Sequence, residues 1–115
     1  MTGAAESLGA WLDRQLATVP QDLAVRVRAA IPETSRSAPS AEGPDILAAA
    51  AASELRHLLE RGCETRWAAP GLLTVDALIS YACELLAGTG ADMETGTEDI
   101  VRRIVAVLPG TGAAA

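Results

Sequence analysis

Two Leu/Ala-rich stretches at helical spacing, joined by Ala68-Ala69-Pro70-Gly71, fill the block from Ile46 to Gly88. Apolar residues that recur at i, i+3, i+4 and i+7 reach one surface only on a helix, because a strand turns alternate residues to opposite faces. The block therefore constrains the chain to a pair of packed helices, and everything else must fit around that pair. The expected fold is all-α: a small helical bundle of about five helices with the helical hairpin 44–88 at its centre.

Pro44 and Asp45 suit the start of the third helix, where proline lacks no needed donor and a carboxylate meets the positive end of the dipole. Leu47, Ala51, Leu55, Leu58, Leu59 and Gly62 line one of its sides. Gly62 is either its C-terminal cap or a close-contact point in a helix running on to about Trp67. Cys63 and Arg66 stay near the apolar side in the second case, which favours continuation. Pro70-Gly71 is the expected break, and the fourth helix is expected from about Leu72 to Ala87. Its apolar arc (Leu72, Val75, Leu78, Ile79, Ala82, Cys83, Leu85, Leu86) covers roughly 160°, wider than one neighbour needs, so it belongs in the middle. The fifth helix is expected to begin with Thr95 and Glu98, spaced as a capping box, ahead of Ile100, Val101, Ile104, Val105 and Leu108. Pro109-Gly110 ends it.

Upstream, Leu8, Trp11, Leu12, Leu16 and Val19 fall on one helical face behind Ser7, an N-cap residue. Leu23, Ala24, Val27, Ala30 and Ile31 form a second face between Pro20 and Pro32. Residues 1–31 thus read as an N-terminal helical pair, too short to be stable alone. Residues 32–43 carry Pro, Ser, Glu and Gly without a period and read as a flexible linker. Residues 44–108 are the expected helical core. Residues 1–6 are expected to fray, and 109–115 to form a disordered tail.

At 115 residues there is room for one domain. Half the residues are apolar, yet Phe is absent and aromatics total 3%. Small side chains bury little area each, so close helix approach must replace large anchors. Trp11, Trp67 and Tyr81 are the only large rings. Every basic residue is Arg, and Asn is missing too. The missing Asn and Phe point to codon bias in a GC-rich bacterial genome rather than to selection for bidentate Arg contacts.

A formal net charge of −6 opposes binding to nucleic acid and to anionic membrane surfaces. The arginines are scattered, with Arg102-Arg103 and Arg26/Arg28 the closest sets. The longest unbroken apolar run, Ile46 to Ala52, is far shorter than the ~20 residues of a membrane span. The start of the chain lacks a basic segment followed by an apolar one, so no signal peptide is expected. Two cysteines in such a chain read as reduced thiols, and the expected location is cytoplasmic.

Candidate chemistry is sparse. Glu54 and His57 form the Glu-x-x-His pair that di-iron bundles use, but metal ligands there must point inward. On a helical wheel His57 lies nearly opposite Leu55, on the polar side, so only an oligomer bringing several copies together would complete a site. Asp76 and Glu84 are the only further carboxylates on the fourth helix. Cys63 and Cys83 match no zinc or iron–sulfur spacing and sit out of register for a disulfide across the hairpin. Cys63 and His57 lie on different faces, unlike a nucleophile and its base. Asp76 reads as a first-turn carboxylate behind a Thr74 cap, or as a partner for Arg66. The polar run from Arg61 to Arg66 marks the mouth of the hairpin.

The reading that follows is a small acidic non-catalytic interaction protein (adaptor, regulator or accessory subunit) with no cofactor. Its partner is expected to be another protein or a second copy, with Trp11, Arg61, Cys63, Arg66 and Trp67 as the interaction residues. The alternative is an oligomeric ligand- or metal-binding bundle using Glu54 and His57. An enzyme built on Cys63 is the remotest option.

Overall fold

The computed structural model describes residues 6–62, 66, 68–90 and 92–108. The N-terminal residues 1–5, the expected tail 109–115, and Cys63 and Trp67 lie outside them. The described residues form five α-helices: α1 (Leu8–Leu16), α2 (Gln21–Ala30), α3 (Gly43–Arg61), α4 (Ala68–Gly88) and α5 (Met93–Val105). Two short 3₁₀ turns, Glu33–Ser35 and Ser40–Glu42, connect α2 to α3. The fold is all-α, as the periodicity requires.

One hydrophobic core runs through all five helices. Leu8, Leu12 and Leu16 of α1, Ala24 and Val27 of α2, Leu47 and Ala51 of α3, Val75, Leu78 and Ala82 of α4, and Ile100 of α5 are buried in it. α4 is the middle element, packed against α2, α3 and α5. Small residues set how closely the rods approach. A methyl group added to Gly71 of α4 would lie 2.6 Å from Leu58 Cδ2 of α3. One added to Gly96 of α5 would lie 2.6 Å from Leu86 of α4. Gly43, the first residue of α3, receives Leu85 Cδ1 and Leu8 Cδ1 in the same way. Each glycine is a socket for a leucine from a neighbouring helix, which is how a core without Phe keeps its density.

The helical pair joins this core directly. Trp11 of α1 stands edge-on to Tyr81 of α4, with ring centroids 5.8 Å apart and planes at 85°, a favourable aromatic geometry. Burial, and secondarily the negative charge of Glu84, pushes the Tyr81 phenol above its ordinary value.

Residues 32–43, expected as a linker, carry the two 3₁₀ turns and pair their backbone with the start of α1. Ser7 and Pro39 form an antiparallel bridge. Leu8 N–H donates to the Ala38 carbonyl and Gly9 N–H to the Arg36 carbonyl, each at 2.8 Å, while Ser40 N–H donates to the Glu6 carbonyl at 2.9 Å. The first amides of a helix have no partner within it, and this segment supplies acceptors for two of them in α1. The Ser7 hydroxyl accepts from Ala10 N–H, so Ser7 is the N-cap its type suggests. Arg36 reaches the other helix of the pair: its guanidinium donates to the Arg28 carbonyl near the end of α2. Glu6, expected to fray, also pairs with Arg14.

Helix limits differ from the sequence expectation at three places. α3 stops at Arg61, and Gly62 follows with φ +94°, a conformation natural to glycine. The chain therefore breaks at Gly62 rather than continuing to Trp67. Pro70-Gly71 is not a break, because α4 already begins at Ala68. Proline in a first turn has no intrahelical acceptor to miss, and its ring fits the helical φ. Finally, α5 starts at Met93 with Asp92 as its N-cap. The Asp92 carboxylate accepts from Glu94 N–H at 3.1 Å and from the Thr95 hydroxyl at 2.7 Å. Thr95 thus spends its hydroxyl as a donor to the cap and does not act as one.

Candidate functional site

Three surfaces were open to consideration: the hairpin mouth, the grooves beside α3, and α5. At the mouth, Glu54, His57, Leu58 and Arg61 lie on one face of the last two turns of α3, at i, i+3, i+4 and i+7. With Arg26 of α2 and Gly71 of α4 they line an open depression of about 330 Å³. Glu54 is half-buried, while His57, Arg26 and Arg61 are exposed. Among the described residues neither Arg26 nor Arg61 makes an ion pair; the pairs are Arg14–Glu6, Arg28–Asp13, Arg102–Asp99 and Arg103–Asp45.

This electrostatic pattern runs against a metal centre at Glu54 and His57. A cation here would meet one carboxylate and two guanidiniums. Among the described residues no three His, Cys, Asp or Glu side chains come together. The depression attracts an anion better than a cation, and weakly, because exposed charges are screened by water and salt.

The expected interaction residues do not converge. Trp11 is half-buried at the α1–α4 contact, Arg61 is at the mouth, and Arg66 is exposed in the turn before α4. Cys63 and Trp67 are outside the described residues. Cys83 is a free, half-buried thiol on α4 packed against the core. Asp76 is exposed in the third turn of α4, two turns later than a first-turn carboxylate, and pairs with no described residue. Thr74 is buried and donates its hydroxyl to the Pro70 carbonyl at 3.0 Å, so it caps nothing.

A groove of about 330 Å³ between α3 and α5 is lined chiefly by Ala49, Ala52, Ser53, Arg56, Arg103 and Ala106. At its edge Arg103 reaches Asp45 at 3.7 Å. The lining offers no nucleophile paired to a base.

α5 is different. Its inner face is short: Ile100 is its one buried residue, with Gly96, Ile104 and Val107 half-buried around it. Yet Met93, Val101, Val105 and Leu108 are 43%, 52%, 39% and 37% exposed. Taking about 100° per residue, Thr97, Val101 and Val105 fall within an arc of about 80°. That arc is displaced from Ile100, on the side away from the Arg103 edge that faces α3. The sequence expectation set Ile100, Val101, Ile104, Val105 and Leu108 along the fifth helix without assigning them a covered face. Only Ile100 and Ile104 of that set are covered, because α3 and α4 together contact a narrower arc than the apolar residues occupy. The signal was present in the sequence: seven of the nine residues from Ile100 to Leu108 are apolar, a stripe too wide for an edge helix.

α4 also carries a property that counting unbroken apolar residues missed. Its 21 residues are long and apolar enough, by length and composition, to cross a membrane. Val75, Leu78, Tyr81, Ala82, Leu85 and Leu86 of this helix are buried against neighbouring helices, whereas Leu72 and Leu73 are exposed. Compared with protein families, with curated proteins and with solved structures, the chain matches none of them.

Proposed function

We propose that this chain is a small non-catalytic helical interaction protein, an adaptor, regulator or accessory subunit, that presents α5 to a protein partner. The observation that carries the reading is the exposed apolar flank of α5. A surface helix of a self-sufficient bundle turns its apolar stripe inward and its polar side outward. Here Val101 and Val105 lie off the side of α5 that packs on α3 and α4 among the described residues, and contiguous exposed apolar surface marks interaction sites. The Arg-only basic set and the two cysteines support a bacterial, cytoplasmic setting for the same reading.

The test is a photo-crosslinking amino acid placed at Val101, with a matched control at exposed Ala29 of α2, in the full chain inside a bacterial host. Discrete protein adducts at position 101 that position 29 does not give are the expected result. Equal, diffuse labelling at both positions would show that the flank simply faces water and would end the reading.

A further inference from the structure

We infer that the occupant of this flank is a second copy of the chain, related by a two-fold axis that sets the two α5 helices antiparallel. This deepens the interaction reading and rests on it. Three observations point the same way.

The first is size: a two-fold pair buries Met93, Val101, Val105 and Leu108 twice, which doubles the apolar area set against the cost of association. The second is continuity. Gly96 of α5 receives Leu86 of α4, so the two helices lie side by side. On α4, Leu72, Ile79 and Cys83 fall within an arc of about 40° next to Leu86. Leu72 is 44% exposed, and Ile79 and Cys83 are half-buried. The α4 arc borders the exposed side of α5, and together they make one apolar strip two helices wide.

The third is the charge order along its edge. Glu98 and Arg102 stand one turn apart on the rim of the α5 stripe, on the side away from α4. In an antiparallel pair centred on Val101, each rim meets the same rim of the other copy. Glu98 then faces Arg102 of the second copy, and Arg102 faces its Glu98, while Thr97 lies opposite the second Val105. Such a patch is self-complementary, as a two-fold interface must be. A parallel arrangement would set Glu98 against the apolar α4 side. Arg102 already donates to Asp99 at 2.8 Å, and a guanidinium has five donors, so it can serve both. Repulsion between two chains of charge −6 is screened beyond about 8 Å at physiological ionic strength, whereas the rim pairs are in contact.

Sedimentation equilibrium of the full chain tests this, from about 1 to about 500 μM. A reversible monomer–dimer equilibrium is expected. Val101→Glu should weaken it at least ~10-fold while leaving the thermal melt in place. Glu98→Arg should weaken it as well, and Glu98→Arg with Arg102→Glu should restore it, because the reversed charges pair again across the axis. A monomer at every concentration, a dimer indifferent to Val101→Glu, or a double reversal no better than the single one would each overturn the dimer. Adducts at position 101 with a different protein, from a chain that sediments as a monomer, would remove the dimer and leave the interaction reading standing.

Discussion

The α3–α4 hairpin and α5 are made of similar residues and meet the solvent in opposite ways. Along the α3–α4 contact, Leu47, Ala48, Ala51, Leu78 and Ala82 have no exposed surface and glycines accept leucines where the rods cross, while Leu72 and Leu73 near the start of α4 are exposed. In α5 one residue is buried and three large apolar ones are exposed, with Leu108 exposed just beyond its end. Both segments are amphipathic in sequence, but amphipathicity states only that a face seeks cover. Whether cover exists depends on how many neighbours the topology provides: α4 has helices around it, and α5, added last at the edge, has two neighbours on one side. On the proposed function, stability and recognition are separated accordingly, the first along the α3–α4 contact and the second on the helix the bundle leaves half covered.

That contrast can be broken at several points. The largest effect belongs to Leu78→Ala, which empties a fully buried site on the middle helix. A loss of about 2–5 kcal/mol is expected in chemical denaturation. A cost below about 1 kcal/mol would mean that the hairpin is not the sealed part of the molecule. Next comes Gly43→Val, which pushes a branched side chain into the space taken by Leu85 and Leu8. Overpacking of this kind costs about 1–3 kcal/mol, and the melt should fall without loss of helix content. A neutral or stabilising result would show that these leucines are not seated as described.

A smaller, local effect is expected from acid at the start of α5. The Thr95 hydroxyl, followed by the Glu94 amide, holds the Asp92 carboxyl below the ordinary carboxylate range. A depressed folded-state value contributes stability above the unfolded value and loses it as pH falls through the folded one. The protection of the Glu94 amide, taken relative to its intrinsic exchange rate at each pH, should therefore fall below about pH 4 while the α3–α4 amides stay protected, and Asp92→Ala should abolish that fall. Uniform protection of α5 across this range would contradict the cap. The smallest effect is that of Val101→Asp on the isolated monomer, within about 0.5 kcal/mol, because the side chain is already in water. A large destabilisation would place Val101 in the core and remove the contrast altogether.

Much of this architecture was legible in the sequence, and the failures have physical causes. Periodicity identified all five helices because burial at every third or fourth position is a local pattern. The order of residues 32–43 was not legible, since it comes from backbone groups of Ala38, Arg36 and Ser40 pairing with residues thirty positions away in α1 and just before it, and backbone pairing leaves no mark on side-chain identity. Gly62 and Pro70-Gly71 offered two stop signals, and proline was the louder although it fits a helix start. Thr95 looked like a cap because its spacing to Glu98 is right, but the Asp92 carboxylate is the stronger acceptor. The candidate site was the least legible part. The polar run from Arg61 to Arg66 drew attention by its density, whereas the exposed side of α5 is visible only once the neighbours of Ile100 are known.

Amide hydrogen exchange followed across a range of protein concentrations tests the contrast most directly. Protection in α3 and α4 should be high and independent of concentration, while protection around Val101 and Val105 should start low and rise as copies associate. Protection in α5 that equals the hairpin's at the lowest concentration and never changes would contradict the account.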